Sequence, residues 1–333
     1  MLAFFTMKTL SINALFLLAL AAFLLTSRAY ANHGPGTSGG GVSTESGETL
    51  TKDTFTFSIR EDYTNYEDLS QAEIDSRAVK AGEFDYLRDS YTTSIAVAYG
   101  VTDDFDMLAS LGWYSGRGFV DAHLHEGDGE EHHEVASSYG DPEGITALVV
   151  QGKYRVMRGR PGNLAIIGGV IFPTGNDDET LSDGDSLEPS SQPGTGRFGF
   201  QGGLAYSRYL TSHLIIDTSS VYTLRTERND FQVGDRLNSG IALAYRVTNS
   251  IQSFPQLSVF GEVNHVYLRK DESDEGSNPN SGGNALFITP GTRLRFSDNI
   301  ALTVAPSFPV FQDLNGEQVK VDYKLSALLT INL

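Results

Sequence analysis

From Thr51 to the C-terminus, apolar and polar residues alternate with a period of two, in segments separated by turn-rich stretches. Each segment runs for about ten residues, the length a tilted strand needs to cross a bilayer. Roughly twelve such segments can be counted, and an even number is what a closed barrel with both ends on one side requires. The connections alternate in length as well. Gly100-Val101-Thr102-Asp103, Arg158 to Gly162, Thr211-Ser212 and Ser297-Asp298-Asn299 are short turns. Residues 64–88, 116–143, 174–196, 227–234 and 269–283 are longer polar loops. Short periplasmic turns opposite long extracellular loops make the outer-membrane pattern, whereas a soluble sandwich has no reason to segregate loop length this way.

The aromatic residues decide the class. One apolar face reads Tyr91, Ile95, Val97, Tyr99, and the next reads Phe105, Met107, Ala109, Leu111, Trp113. Later faces read Leu148, Val150, Tyr154; Leu164, Ile166, Val170, Phe172; and Phe198, Phe200, Leu204, Tyr206. Aliphatic middles with aromatic ends are what two interfacial girdles demand. A soluble core has no such preference for strand ends. The expected fold is therefore all-β: a single antiparallel transmembrane β-barrel of about twelve strands over residues 51–333.

Two features strain this pattern. Pro290 and Pro306 fall inside expected strands, where each removes a ladder donor, and they are read as marking a bulge in the neighbouring tenth and eleventh strands or places where those strands stand clear of the membrane. Within loop 64–88, Ser70-Gln71-Ala72-Glu73 reads as a capping box that opens a helical turn.

The N-terminal end is an address. Lys8 supplies a positive n-region, Ala14 to Leu25 is a short apolar run, and Ala29-Tyr30-Ala31 offers a small-x-small cleavage pattern. Residues 1–31 are read as a signal peptide, with translation starting at Met1 or at Met7, and residues 32–50 as a flexible Gly/Ser/Thr-rich segment. The 333-residue chain has no Cys, so closed backbone pairing must do what disulfides do elsewhere. Its net charge of −18 argues against nucleic acid as a partner.

Several stretches resemble a family of outer-membrane barrels described as transporter-like, or as belonging to the meta-pathway of phenol degradation. They are Gly140-Asp141 with Gly152-Lys153-Tyr154-Arg155, Phe172-Pro173-Thr174-Gly175, and Gly194-Thr195-Gly196 with Leu204-Ala205-Tyr206-Ser207-Arg208. Gly234-Asp235-Arg236-Leu237 and the tail Pro309-Val310-Phe311-Gln312-Asp313-Leu314-Asn315-Gly316 complete the set. The resemblance spans most of the mature chain and implies passage of aromatic or other small compounds. The last strand, with Tyr323, Leu325, Ala327, Leu329, Ile331 and Leu333 on one face, resembles the signal read by the barrel-assembly machinery; it ends in Leu where that pattern ends in Phe.

Four sets of residues are candidates for chemistry. His123, His125, His132 and His133 lie among Glu126, Asp128, Glu130, Glu131 and Glu134, a mixture able to bind divalent metal opportunistically; a hydrated acidic loop is the blander alternative. The acidic runs around Asp177 to Glu179, with Asp183 and Asp185, and Asp271 to Glu275 match no calcium-loop spacing and read as solvated surface. By parity, Arg60, Lys153, Arg155, Gln201, Asp217, Arg225, Arg236, Glu262, Asn264, Arg293, Arg295, Lys320, Asp322 and Lys324 point inward. Such residues tune passage of a solute or fill the lumen with ion pairs, and both readings stand. Finally, Ser212 adjoins His213, but in a periplasmic turn and without a Gly-x-Ser-x-Gly elbow, so an enzyme is not expected.

The expectation is thus an outer-membrane channel for small solutes, in contact with lipid and without a cofactor. The alternatives are a metal-associated barrel and a non-conducting barrel with a structural or adhesive role.

Overall fold

A computed structural model of the chain describes residues 41–333, except 124, 128–129, 133–139, 181–186, 188, 190, 249–252 and 275, with backbone alone between 123 and 132. The expected signal peptide, residues 32–40, His133, Asp183, Asp185 and Glu275 lie outside the described residues.

Twelve long strands follow one another along the chain. They are β1 (Phe55–Tyr66), β2 (Asp89–Thr102), β3 (Phe105–Arg117), β4 (Leu148–Met157), β5 (Asn163–Phe172) and β6 (Gly199–Tyr209), then β7 (Leu214–Arg225), β8 (Arg236–Arg246), β9 (Gln256–Leu268), β10 (Gly283–Arg295), β11 (Ile300–Leu314) and β12 (Val321–Asn332). Each pairs antiparallel with the next, and β1 pairs with both β2 and β12, so the sheet closes on itself and leaves no edge. Closure is complete at the periplasmic end, where the Phe55 N–H donates to the Leu333 carbonyl at 3.1 Å and the Leu333 N–H returns a bond of 2.8 Å to Phe55.

The alternation expected from the sequence is the alternation observed. On β6, Leu204 is 53% exposed beside Ala205 at 1%; on β8, Ile241 is 56% exposed beside Ala242 at 0%. Exposed aliphatics such as Ile95, Val97, Ile166, Leu243 and Val263 form the middle of an outward apolar belt. Aromatic rings border it: Phe55, Tyr154, Tyr245 and Phe296 at the short-turn end, and Trp113, Phe198, Tyr222 and Tyr323 at the long-loop end. Tyr63 stacks within 4.7 Å of Tyr91 and 5.9 Å of Tyr323, which makes that girdle continuous across three strands. This is the outer surface of an outer-membrane barrel.

The prolines behave differently from the expected single bulge. Pairing of β10 with β11 stops after Ile288↔Phe308 and resumes at Thr292↔Val304 in the same register, so Pro290 and Pro306 occupy one gap in the ladder. Each remains paired on its other side, Pro290 with Gly261 and Pro306 with Leu325. The true bulge lies nearer the long-loop end, between Leu286 and Phe287, where β11 carries a third proline, Pro309. A residue in an antiparallel sheet directs its N–H and C=O to the same neighbour, so two prolines opposite each other withhold donors from one ladder and leave the outer ladders paired.

The long loops fold against one another outside the barrel. Helix α1 (Gln71–Ala81) starts where the capping box places it, with the Ser70 N–H donating to Glu73 Oε2 at 2.9 Å and the Ser70 hydroxyl at 2.7 Å. Gly82 ends it at φ 86°, a conformation that glycine adopts without strain. Ile74 and Ala78 of the helix pack on Phe84, Tyr86 and Ala122, contributed by a short ladder of Glu83–Tyr86 with Val120–His123.

Candidate functional site

The lower lumen is occupied by the chain itself. Part of the stretch read as a flexible lead-in, residues 41–50, runs inside the barrel before the chain turns at 51–54 into β1. The side chains of Val42 and Leu50 are 1% exposed, although neither belongs to a strand. Val42 packs into an apolar cluster with Ile215, Ala244, Phe260 and Ala305 on the barrel's inner wall.

Inward polar residues hold this segment rung by rung. Glu262, in the middle of β9, accepts hydrogen bonds from the Val42 N–H at 2.9 Å, the Ser43 N–H at 3.1 Å and the Thr44 hydroxyl at 2.5 Å. Asn264 donates to the same carboxylate at 3.0 Å, and Arg60 Nη1 donates to the Val42 carbonyl at 2.6 Å. Lower down, the Glu45 N–H donates to Ser219 Oγ at 2.9 Å and the Gly47 N–H to Ser207 Oγ at 2.8 Å. The Ser207 hydroxyl in turn donates to Asp217. At the periplasmic end the Leu50 N–H donates to Asp106 Oδ2 at 2.9 Å, and Lys153 lies 3.9 Å from the same carboxylate. A segment without secondary structure has no internal partners for its N–H groups, so a buried one must find them in the wall.

Close approach of two backbones makes small residues necessary here. A Cβ on Gly47 would lie 2.3 Å from the Asn163 carbonyl oxygen, and one on Gly240 would lie 2.3 Å from Thr44 Oγ1. The glycines on the segment and on the wall are thus complementary surfaces.

The upper lumen is open. Above the segment lies a cavity of about 990 Å³, walled by Tyr66, Tyr114, Phe84 and Phe231 among others, with Arg225 and Arg236 at its base. The Arg236 Nε donates to Asn238 Oδ1 at 3.0 Å, and Arg225 Nη1 to the Gly234 carbonyl at 2.9 Å. Lys324 sits over the Phe287 ring at 4.5 Å. On the loop side, burial raises the Asp271 carboxyl above its ordinary range, opposed by the Gly234 N–H bond and by Arg225 and Arg197.

The inward set thus separates by height. Glu262 and Arg60 bond the inserted segment directly, whereas Asn264, Asp217 and Lys153 support it through Glu262, Ser207 and Asp106. Arg293 donates to Thr303 Oγ1 at 3.1 Å and lies 5.7 Å from the Phe260 ring, beneath Val42's cluster. Gln201 donates to Thr223 Oγ1 at 3.4 Å on the inner wall. Arg155 reaches the periplasmic turn, where it holds Asp104 at 2.7 Å, and Arg295 lies at the same end beside Gln256 and Asp298. Lys320 precedes β12 and Asp322 is its second residue, both exposed at the outer end. Arg225 and Arg236 face the open upper part, and Lys324 lies near them over the Phe287 ring. Ser207 and Ser219 lie on the polar face that the alternation directs to the lumen, whereas Asp106 was not singled out by sequence. Parity would have found Asp106, which lies between the outward Phe105 and Met107.

The histidine-rich stretch forms a small hairpin in which His125 faces His132, and His123 pairs with Glu83. Next to it, Glu83, Asp85 and Asp121 bring carboxylate oxygens within 4.8 Å of one another on the face opposite buried Phe84. Ser212 Oγ and His213 Nδ1 are 2.9 Å apart in the β6–β7 turn, but the buried Nε2 of His213 has no hydrogen-bond partner among the described residues. The orienting third member of a triad is therefore missing from this pair.

Comparison with known proteins places this architecture. The family model described as "Putative MetA-pathway of phenol degradation" matches residues 26–308. No curated protein matches the chain. Among solved structures, an outer membrane channel from Pseudomonas putida F1 is similar at 12% identity and a TM-score of 0.56, covering 86% of this chain and 97% of that one. The TodX monoaromatic hydrocarbon channel (10% identity, TM-score 0.46, 85% and 90% coverage) and the NanC porin (9%, 0.45, 83% and 100%) are more distant barrels. At these identities the likeness is one of fold.

Proposed function

The chain belongs to the family of that description, and from that premise we propose that it is a passive outer-membrane channel for small organic solutes. The observation that carries this reading is the inner face: a closed barrel lined by many polar side chains and leading into a cavity of about 990 Å³. That volume falls in the range of small-molecule sites, about 300–1,000 Å³. Its walls mix aromatic rings with a few charged groups, which suits solutes of the aromatic kind that the family description names. The inserted segment narrows the path below, so transport is selective for small molecules and unit conductance is low.

Single-channel recording tests the reading. The refolded mature protein in a planar bilayer should give small, steady current steps. A barrel that is folded by heat-modifiable gel mobility, yet electrically silent and impermeable to small aromatic solutes in liposomes, would overturn it.

A further inference from the structure

Arg225 and Arg236 face the upper lumen without a salt bridge to a carboxylate, and Lys324 stands near them. Among the described residues, no Asp or Glu lies within ion-pair distance of Arg225, Arg236 or Lys324; their recorded partners are a carbonyl, an amide oxygen and a ring. The positive charges also repel each other, Arg225 against Arg236 and Arg236 against Lys324. The acids nearby are engaged elsewhere. Asp62 holds Arg60 at 2.6 Å and accepts the Ser326 hydroxyl at 2.6 Å. Asp235 accepts from the Arg225 N–H at 2.8 Å and the Tyr222 hydroxyl at 2.6 Å, and Asp271 from the Gly234 N–H at 2.6 Å. Arg225 also feels Asp271 and Asp235, and Lys324 feels Asp62, whereas the charged neighbours of Arg236 are cations. In a chain with a net charge of −18, such a guanidinium inside the lumen is not a sample of the general surface.

We propose that this vestibule binds small aromatic carboxylates. The argument rests on the channel reading only for the direction of travel. The Arg236 guanidinium, which among the described residues bonds only Asn238 and through Nε, offers a planar fork that matches a carboxylate bidentately. Around it, Tyr66, Tyr114 and Phe231 provide ring faces for an apolar body. Like charges held together in a partly desolvated space repel, and an organic anion relieves that repulsion while its ring fills the aromatic wall. A neutral aromatic alcohol gains the wall and not the charge; acetate gains the charge and not the wall.

Isothermal titration of the folded full-length protein in neutral detergent, with benzoate, benzyl alcohol and acetate as probes, measures binding whether or not the barrel conducts. Benzoate should bind more tightly than either control, and its affinity should fall as salt rises. Arg236→Gln should weaken benzoate about tenfold, the effect of one charge-assisted contact, and leave benzyl alcohol unchanged. Arg236→Lys should recover part of the loss. Heat-modifiable mobility of each variant reports folding, and Arg225→Gln provides a second route if Arg236→Gln fails to fold. Equal binding of benzoate and benzyl alcohol, or indifference of benzoate to both substitutions, would overturn the proposal even in a barrel that conducts. Charge-dependent benzoate binding to a barrel that never conducts would keep the proposal and remove the channel.

Discussion

The two halves of the lumen solve the same problem in opposite ways. In the lower half, inward charges and hydroxyls are matched against a piece of backbone: Glu262, Ser219, Ser207 and Asp106 each accept from the inserted segment. In the upper half, Arg225 and Arg236 line free space, and neither has a salt bridge to a carboxylate among the described residues. A buried polar group that is satisfied rigidifies what it touches, and one left with unused donors is ready for a ligand. The comparison assigns closure to the lower half and recognition to the upper half.

Removing the segment gives the largest test of that division. Deletion of residues 41–50 should raise unit conductance severalfold, since the barrel wall closes through β1 and β12 without them. Benzoate binding at the upper cations should persist in the deleted protein. If conductance is unchanged, the segment does not limit the path, and the lower half loses its assigned role.

A subtler break is Glu262→Ala. The substitution leaves the Val42 and Ser43 N–H groups and the Thr44 hydroxyl without their acceptor, in a region where Glu262 itself is 1% exposed. A buried donor left unsatisfied costs about 1–3 kcal/mol. Amide exchange at 42–44 should therefore accelerate about a hundredfold, the factor that about 3 kcal/mol implies. Exchange in the barrel strands should hold. Glu262→Gln keeps an acceptor oxygen and should fall between the two. Uniform acceleration throughout the barrel would instead mean that Glu262 supports the wall and not the segment.

The sequence made one of these halves far more legible than the other. Period-two alternation with aromatic ends is local information, and it yields twelve strands, the position of most loops and the inward side of residues such as Asp217, Glu262 and Lys153. The course of residues 41–50 is not local information. Gly41-Val42-Ser43-Thr44-Glu45-Ser46-Gly47-Glu48 has the composition of a linker, and its order comes from Glu262 and Ser207, more than 150 positions away in the chain. The signal that existed was on the wall, where carboxylates and serines stand at mid-strand inward positions. Read as lumen lining, they give no sign that backbone would be their partner. The prolines show the same limit: sequence places Pro290 and Pro306 in strands but not opposite each other, because register across two strands is set by pairing and not by composition.

The smallest effect sharpens the comparison from outside the barrel, where a device that was legible in sequence is independent of both halves. Ser70→Ala removes the hydroxyl that bonds Glu73 Oε2 at 2.7 Å, while the Ser70 main-chain N–H retains its bond to the same carboxylate. Hydrogen bonding to Ser70 also holds the Glu73 carboxyl below its ordinary pKa range, so part of the cap is a charge effect at the helix N-terminus. Loss of a Ser cap costs about 1 kcal/mol, which is a factor of about five in local opening. Exchange at the first turn of α1 should speed up by about that factor, while barrel melting, unit conductance and benzoate affinity hold their values. If benzoate affinity falls with the cap, then α1 is part of the vestibule wall: it packs on Phe84, whose other neighbours line the cavity, and a looser helix would loosen that ring. An unchanged affinity restricts recognition to the cations and rings fixed by the strands, which is what the open upper half predicts.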